Sequence, residues 1–354
     1  MKNSIKIGLL VLAATMFSTG CAQKVRIKAL QPAEVGEMAV KKKVAVSNFK
    51  NDSVGVSGKI ESEIAKQQLD KERYFTVLSR KDMAKVIAEQ KLQSSELMDE
   101  STSSKVGKLI GAQAIINGEV TSANAESGTY QEDREKCLKY YKDSGECAQY
   151  RYYKVTCNTT QASVAVNINI VNVETGSIIY GDTISKNYSA DSCKAGQTTL
   201  GLLTMDSGPK QILSKGQALN SLASSIAQEF VYKLTPNYVY FNVTLLEDIE
   251  LDNVGNKQGM EFEAALAFIK AARYDRAKSY LEKLMREFDG KSYAVDYDLG
   301  VIYEATGDFD KAKELYVLAD KQTVQPVEEI NLAINRIDGL IEKRDEAKRQ
   351  MQAK

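Results

Sequence analysis

The sequence predicts an α/β domain, a sheet with packed helices, followed by an all-α domain. Three observations predict it. Period-two apolar segments alternate with helically spaced ones between Lys43 and Val120. A long alternating strand, Val164 to Ile170, then meets a turn and a returning strand. From residue 257 onward only helical spacing remains, and one pattern recurs 35 residues apart.

Taken in order, Lys43 to Phe49 (KVAVSNF) alternates as a first strand, and Asn51, Asp52 and Ser53 turn the chain. Ile60, Ile64 and Leu69 space as one helix face, and Tyr74 to Leu78 (YFTVL) is a short strand. Ser79 is placed to cap the next helix, with Asp82 three residues on. That helix runs to about Lys91 and buries Met83, Val86 and Ile87. Ser103 to Ile110 forms a second short helix that buries Val106, Leu109 and Ile110, and Gly111 ends it. Ala114 to Val120 (AIINGEV) is the next strand.

Val164, Val166, Ile168 and Ile170 then alternate with Ala165, Asn167 and Asn169, giving one apolar face. Glu174, Thr175 and Gly176 turn the chain, and Ser177 to Ser185 returns. A three-residue loop with Gly176 in the left-handed position pairs Val173 with Ser177. The same register sets Ile170 against Tyr180, Val166 against Ile184 and Asp182 against Ile168, the last a polar misfit. It also sets Cys157 opposite Cys193, at the separation a disulfide needs. The expected bonds are therefore Cys157–Cys193, with Cys137–Cys147 closing a small loop beyond it. The alternative, four thiolates on one metal, meets spacings of ten, ten and thirty-six that match no zinc template.

The N-terminus sets the compartment. Lys2 and Lys6 precede an apolar run, Ile7 to Phe17, too short to span a bilayer. Ser18, Thr19, Gly20 and Cys21 follow, and this resembles the lipobox of bacterial lipoproteins, which implies cleavage before Cys21 and lipidation of its thiol. Ala22, rather than Asp, implies the outer membrane, facing the periplasm. In an oxidising compartment the four remaining cysteines read as two disulfides. Residues 1–20 hold two of 47 basic residues and none of 47 acidic ones, so the mature chain has a net charge of −2 and gives no electrostatic case for nucleic acid. The chain has no histidine, which excludes Ser-His-Asp and Cys-His catalysis. No P-loop, GxGxxG or HExxH pattern occurs, so no enzyme, catalytic residue, metal or cofactor is expected.

VAVSNF, FTVLSRKDMAKVIAEQ, VGKLIGAQAIINGEV and VAVNINIVNVETGSIIYGDTISK, in that order, resemble the CsgG family of curli assembly and transport lipoproteins. A helix at Gln217 to Leu234 also falls in place, so the likeness covers roughly residues 40 to 240. The resemblance implies a periplasmic α/β domain and assembly into rings. In curli secretion proteins it also implies a pore built from two membrane hairpins, which here would occupy residues 122–161 and 187–214. The first slot carries Glu132, Asp133, Arg134, Glu135 and Lys136 in succession. The second offers only Leu200, Leu202, Leu203 and Met205, broken by Gly208 and Pro209. Charge on a lipid-facing strand costs ~2–4 kcal/mol, so both slots read as disulfide-stapled surface loops. Tyr140, Tyr141, Tyr150, Tyr152 and Tyr153 either form a protein-binding patch or fold over the disulfide.

Asp298 to Ala319 resembles a tetratricopeptide repeat, with Leu299, Gly300, Tyr303, Ala312, Tyr316 and Ala319 at the consensus positions. Phe309-Asp310-Lys311-Ala312 recurs as Tyr274-Asp275-Arg276-Ala277, and Phe268 stands where Tyr303 does. Val327 to Ala353, increasingly charged, reads as a solvating cap. Such repeats bind partner proteins, or else only pack on a neighbour. The expected organisation is a signal peptide (1–20), a tether (21–40), the α/β domain (41–246), a linker (247–256) and the repeats with their cap (257–354). The leading function is a non-enzymatic assembly or transport accessory, with protein partners and an oligomeric ring. The alternative is an LpoB-like activator of a penicillin-binding protein, and the third reading is a secretion pore.

Overall fold

The computed structural model describes residues 23–79, 83–85, 88, 99–194 and 211–352. Cys21, Val86, Ile87 and the apolar residues of the second insertion, Leu200 to Met205, lie outside the described residues. The elements run β1 (Lys24–Gln31), α1 (Gly36–Ala39), β2 (Lys43–Val46), α2 (Val56–Lys66), β3 (Gln68–Leu69), β4 (Glu72–Arg73), β5 (Thr76–Val77), α3 (Glu100–Ile110), β6 (Ala114–Tyr140), β7 (Cys147–Asn172), β8 (Ile178–Asp191) and α4 (Lys215–Tyr232). There follow β9 (Asn237–Thr244), α5 (Asn256–Lys270), α6 (Tyr274–Glu287), α7 (Tyr293–Ala305), α8 (Phe309–Gln322) and α9 (Glu328–Gln352). None of the described helices is long and apolar enough to cross a membrane. Residues 30–238 with 343–354 form one compact unit, and residues up to 29 with 239–342 form the other.

The α/β unit is built on a five-stranded sheet of order β5-β2-β6-β7-β8. β2 runs parallel to β5 and β6, and the β6–β7 and β7–β8 pairs are antiparallel. Val164, Val166, Ile168 and Ile170 are buried in the same core as Ile60 and Ile64 of α2 and Ala223, Ile226, Ala227 and Phe230 of α4. Alanines on α4 let the helix lie close, so the larger chains interdigitate. Asp52 starts α2 by accepting from Val56 N at 2.8 Å and from Ser57 N at 2.9 Å. Ser214 and Gln217 form a capping box on α4.

α3 turns a different face inward from the one its spacing predicts. Val106 is buried with Ser103, Ser104 and Gly107, whereas Leu109 is 59% exposed. Gly107 decides this. A Cβ there would stand 2.4 Å from Val173 Cγ2, so the glycine admits a contact that rotates the helix. Gly111 ends α3 at φ +73°, the left-handed C′ position.

The β7–β8 register sets Ile170 against Tyr180 and Val166 against Ile184. It slips by one residue between Ile170 and Val171, so Asn172 N, rather than Val173, meets Ser177, at 2.9 Å. Gly176 has φ +76°. Asp182 does oppose Ile168, and two polar partners answer the misfit: the Asp182 carboxylate accepts from Tyr180 Oη of β8 at 2.7 Å and from Nζ of Lys233, just past the end of α4, at 3.2 Å. The tyrosine hydrogen bond, then the lysine, holds the Asp182 carboxyl below the usual carboxylate range.

The largest departure from the sequence reading is the first insertion. Residues 122–161 are no loop. β6 and β7 run 27 and 26 residues and stay paired to Tyr140↔Cys147. The consecutive charges take cross-strand partners, Asp133 with Lys154 and Glu135 with Tyr152, so the ladder continues where the apolar pattern stops.

In the helical unit, α5 pairs with α6 and α7 with α8. Gly300 lies against Tyr316, whose Cε1 would stand 2.7 Å from a Cβ there. Ala312 and Ala319 are fully buried beside it. The segment expected as a tether is instead strand β1, since Lys24-Val25-Arg26-Ile27-Lys28-Ala29 alternates and its Val25, Ile27 and Ala29 are buried with the helices. β9 pairs with β1 and buries Val243. This sheet supplies the cover that two repeats lack.

The expected linker is likewise packed. Glu250 caps α7, accepting from Tyr293 N at 2.6 Å and Ser292 Oγ at 3.0 Å. Nor is α9 a solvated cap: Ile330, Ala333, Ile337 and Leu340 are buried in this unit. Lys343 to Lys354 count with the α/β unit, where Ala347 is buried and Gln350 Oε1 accepts from Ala33 N at 2.8 Å. A charged sequence can still hide one stripe when its apolar residues keep helical spacing.

Asp298 is buried in the helical unit, with Oδ1 accepting from Leu246 N at 3.0 Å and Oδ2 without a partner. Burial pushes its carboxyl well above the usual range. The folded chain therefore holds a proton that the unfolded chain releases above about pH 4. Stability from this group is complete below that pH and falls as pH rises. Asp298→Asn keeps the Oδ1 acceptor and removes the linkage. Calorimetry at pH 7 should show a higher Tm than wild type, and the difference should vanish in strong acid.

Candidate functional site

Beyond Asn158 the β6–β7 pair leaves β8 and continues as a two-stranded ribbon. A free two-stranded hairpin is marginal in water. Two disulfides hold this one: Cys157–Cys193 at the base, with Cα atoms 5.4 Å apart, and Cys137–Cys147 toward the tip, at 5.7 Å. Both are the expected pairs: the hairpin register predicts Cys157–Cys193, and Cys137–Cys147 is the pair that remains. Glu132 comes near Cys157 and Cys193 in the one group of metal-ligand residue types among the described residues, but those two sulfurs are bonded to each other and offer no thiolates.

The base is tied further by polar contacts. Tyr130 Oη donates to Asp191 at 2.8 Å, Arg134 Nη2 to the Cys193 carbonyl at 3.2 Å, and Asn158 N to Ser192 Oγ at 2.8 Å. The hydrogen bond to Asp191 pushes the Tyr130 phenol up.

The register settles which tyrosines act together. Tyr150 and Tyr152 share a face with Asp133 and Glu135 and stack at 6.4 Å. Tyr153 lies on the opposite face, opposite Arg134, and is half-buried. Tyr140 and Tyr141 sit at the tip turn. Tyr140, Tyr141 and Tyr152 are 63%, 59% and 73% exposed, so the rings face solvent rather than folding over a disulfide. Charge stands on both faces: Glu132, Arg134 and Lys136 on one, Asp133, Glu135 and Lys154 on the other. The arrangement can hold an aromatic contact surface rigidly.

The helical unit carries a second set of aromatic and cationic groups. Phe268 and Tyr280 stack at 5.8 Å with the Arg276 guanidinium 5.4 Å from the Phe268 ring. Lys278 Nζ lies 4.3 Å from the Tyr303 ring. One further cationic feature escaped the sequence reading. Lys24, Arg26 and Lys28 form the exposed face of β1, and the alternation of KVRIKA was the signal for it.

The sequence matches the profile of the curli production assembly/transport component CsgG over residues 22–239 and a tetratricopeptide-repeat profile over residues 268–336. No curated protein sequence matches the chain. Among solved structures, the C-terminal domain of LpoB from Salmonella enterica is 14% identical, with 44% of this chain and 95% of that chain covered and a TM-score of 0.25. A PelC dodecamer from Paraburkholderia phytofirmans is 12% identical, with 60% and 97% covered and a TM-score of 0.26. At these values neither likeness carries an argument about function.

Proposed function

We propose that this chain, which belongs to the CsgG family, is a non-enzymatic envelope lipoprotein that binds partner proteins in assembly or transport at the outer membrane, facing the periplasm. Cys21 is the residue that would carry the lipid. The observation that carries the reading is the stapled ribbon: a costly, protruding pair of strands that presents stacked Tyr150 and Tyr152 to solvent. Exposed, rigid tyrosines on a backbone fixed by disulfides lose little entropy on binding, which favours a protein contact. The repeats support a second protein contact. Charge on both faces of the ribbon weighs against its lying in lipid, and so against a pore.

The test is a photo-crosslinker placed at position 152 in envelopes, combined with Tyr150→Ser and Tyr152→Ser. The double variant should lose at least about tenfold in partner affinity, as hot-spot tyrosines do, while its unfolding free energy stays within about 0.5 kcal/mol of wild type. Unchanged affinity would remove the ribbon from the reading. Light scattering on the chain from Ala22 then reads the oligomer, for which a ring-sized species is expected.

A further inference from the structure

Strand β1 starts at Lys24, so only Ala22 and Gln23 separate it from Cys21. An extended chain covers ~3.5 Å per residue, which keeps Lys24 within roughly 10 Å of the thiol. No long tether intervenes. Whatever surface Cys21 is attached to is therefore the surface β1 meets.

The exposed face of β1 is wholly cationic. Lys24, Arg26 and Lys28 alternate with the buried Val25, Ile27 and Ala29, so all three charges point the same way. The neighbouring strand adds Tyr240, 53% exposed, with the Arg26 guanidinium 4.4 Å from its ring centroid. Cations with an amphipathic tyrosine are the side chains that favour a headgroup layer. Glu247 is the acid at the start of the strand, where it accepts from Gln23 N at 2.7 Å. The stripe stands out against a mature chain that is almost neutral.

We propose that the Lys24–Arg26–Lys28 face of β1 docks on the headgroups of anionic phospholipids. This rests on the reading that Cys21 is acylated, since that anchor brings the strand to the bilayer. The docking fixes one side of the helical unit against the membrane instead of leaving it on a loose leash. Each cation near an anionic surface contributes ~1 kcal/mol, or about fivefold in partition, so three contribute on the order of a hundredfold.

The experiment uses the chain from Ala22 to Lys354 without lipid, which keeps every described residue. Its sedimentation is measured with vesicles containing phosphatidylglycerol and with pure phosphatidylcholine, at low salt. The wild-type chain should bind the anionic vesicles selectively and release as salt is raised. Lys24→Gln/Arg26→Gln/Lys28→Gln should lose on the order of a hundredfold. Lys257→Gln/Lys270→Gln/Lys321→Gln, which removes three exposed lysines of the same unit, should bind as wild type. Equal binding to both vesicles, persistent binding of the first variant, or equal loss in both variants overturns the proposal. Palmitate labelling of the full precursor runs alongside. No label at Cys21 overturns the anchor and the docking with it, whereas label without vesicle selectivity overturns the docking alone.

Discussion

Arg336→Met is expected to destabilise the helical unit by about 3–5 kcal/mol, the effect of leaving one member of a buried ion pair alone. Glu304 is fully buried, and Arg336 meets it with two parallel bonds, Nε to Oε1 at 2.8 Å and Nη2 to Oε2 at 2.7 Å. The Tyr316 hydroxyl donates to the same carboxylate, and Tyr297 packs on the Tyr316 ring at 5.5 Å. Removing the guanidinium strands a carboxylate among aromatic rings, with one hydroxyl left as donor. The pair itself is not the source of the stability, because two desolvated charges roughly offset their attraction. A triple variant, Glu304→Leu/Arg336→Met/Tyr316→Phe, should therefore recover most of the loss. Hydrogen exchange at the amides of α7 and α9 reads this unit separately. A loss below about 1 kcal/mol in the single variant would mean that the pair is not buried in solution.

This triad shows where a sequence stops being legible. Gly300, Ala312 and Ala319 announce two helices in close approach, because small residues have few other uses at those positions. Glu304 and Arg336 announce nothing, since 32 residues separate them and charged residues on helices are ordinarily solvated. The hairpin register was legible for a similar reason: Val166 and Ile170 fix one face, a turn fixes the count, and Cys157 must then meet Cys193. The ribbon was not. Period-two reading needs one apolar face, and Glu132 to Lys136 have none, although cross-strand pairs of opposite charge and a disulfide at the tip can hold a ladder without one. Strand β1 has the alternation, but eight residues so close to Cys21 read equally well as a tether. Tyr150 and Tyr152 could be named from sequence as candidates, but only the pairing with Cys137 and Glu135 puts them on one face and Tyr153 on the other.

Cys157→Ala/Cys193→Ala should destabilise the α/β unit more than Cys137→Ala/Cys147→Ala does. The first bond closes a sequence separation of 36 residues and the second one of 10. Restricting the unfolded chain is worth about 4 kcal/mol for the longer loop and about 2.7 kcal/mol for the shorter. Packing widens the gap. Cys157 is fully buried, whereas Cys137 and Cys147 sit at the solvated tip. The longer bond also holds the Cys193 carbonyl where Arg134 donates to it and keeps Asp191 beside Tyr130, so its loss loosens the base from which the ribbon projects. Thermal unfolding followed by circular dichroism, with and without reductant, gives the order directly. Reductant should lower the Tm of wild type below that of the base variant, which starts with the tip bond alone, and should shift the tip variant by less than wild type, since it has only the bond at 157 to lose. Hydrogen exchange should rise first at Thr156 to Thr160 in the base variant and stay confined to the tip strands in the other. Equal Tm values for the two double variants would mean that the base bond constrains the fold no more than the tip bond does, and the loop-length argument would fail.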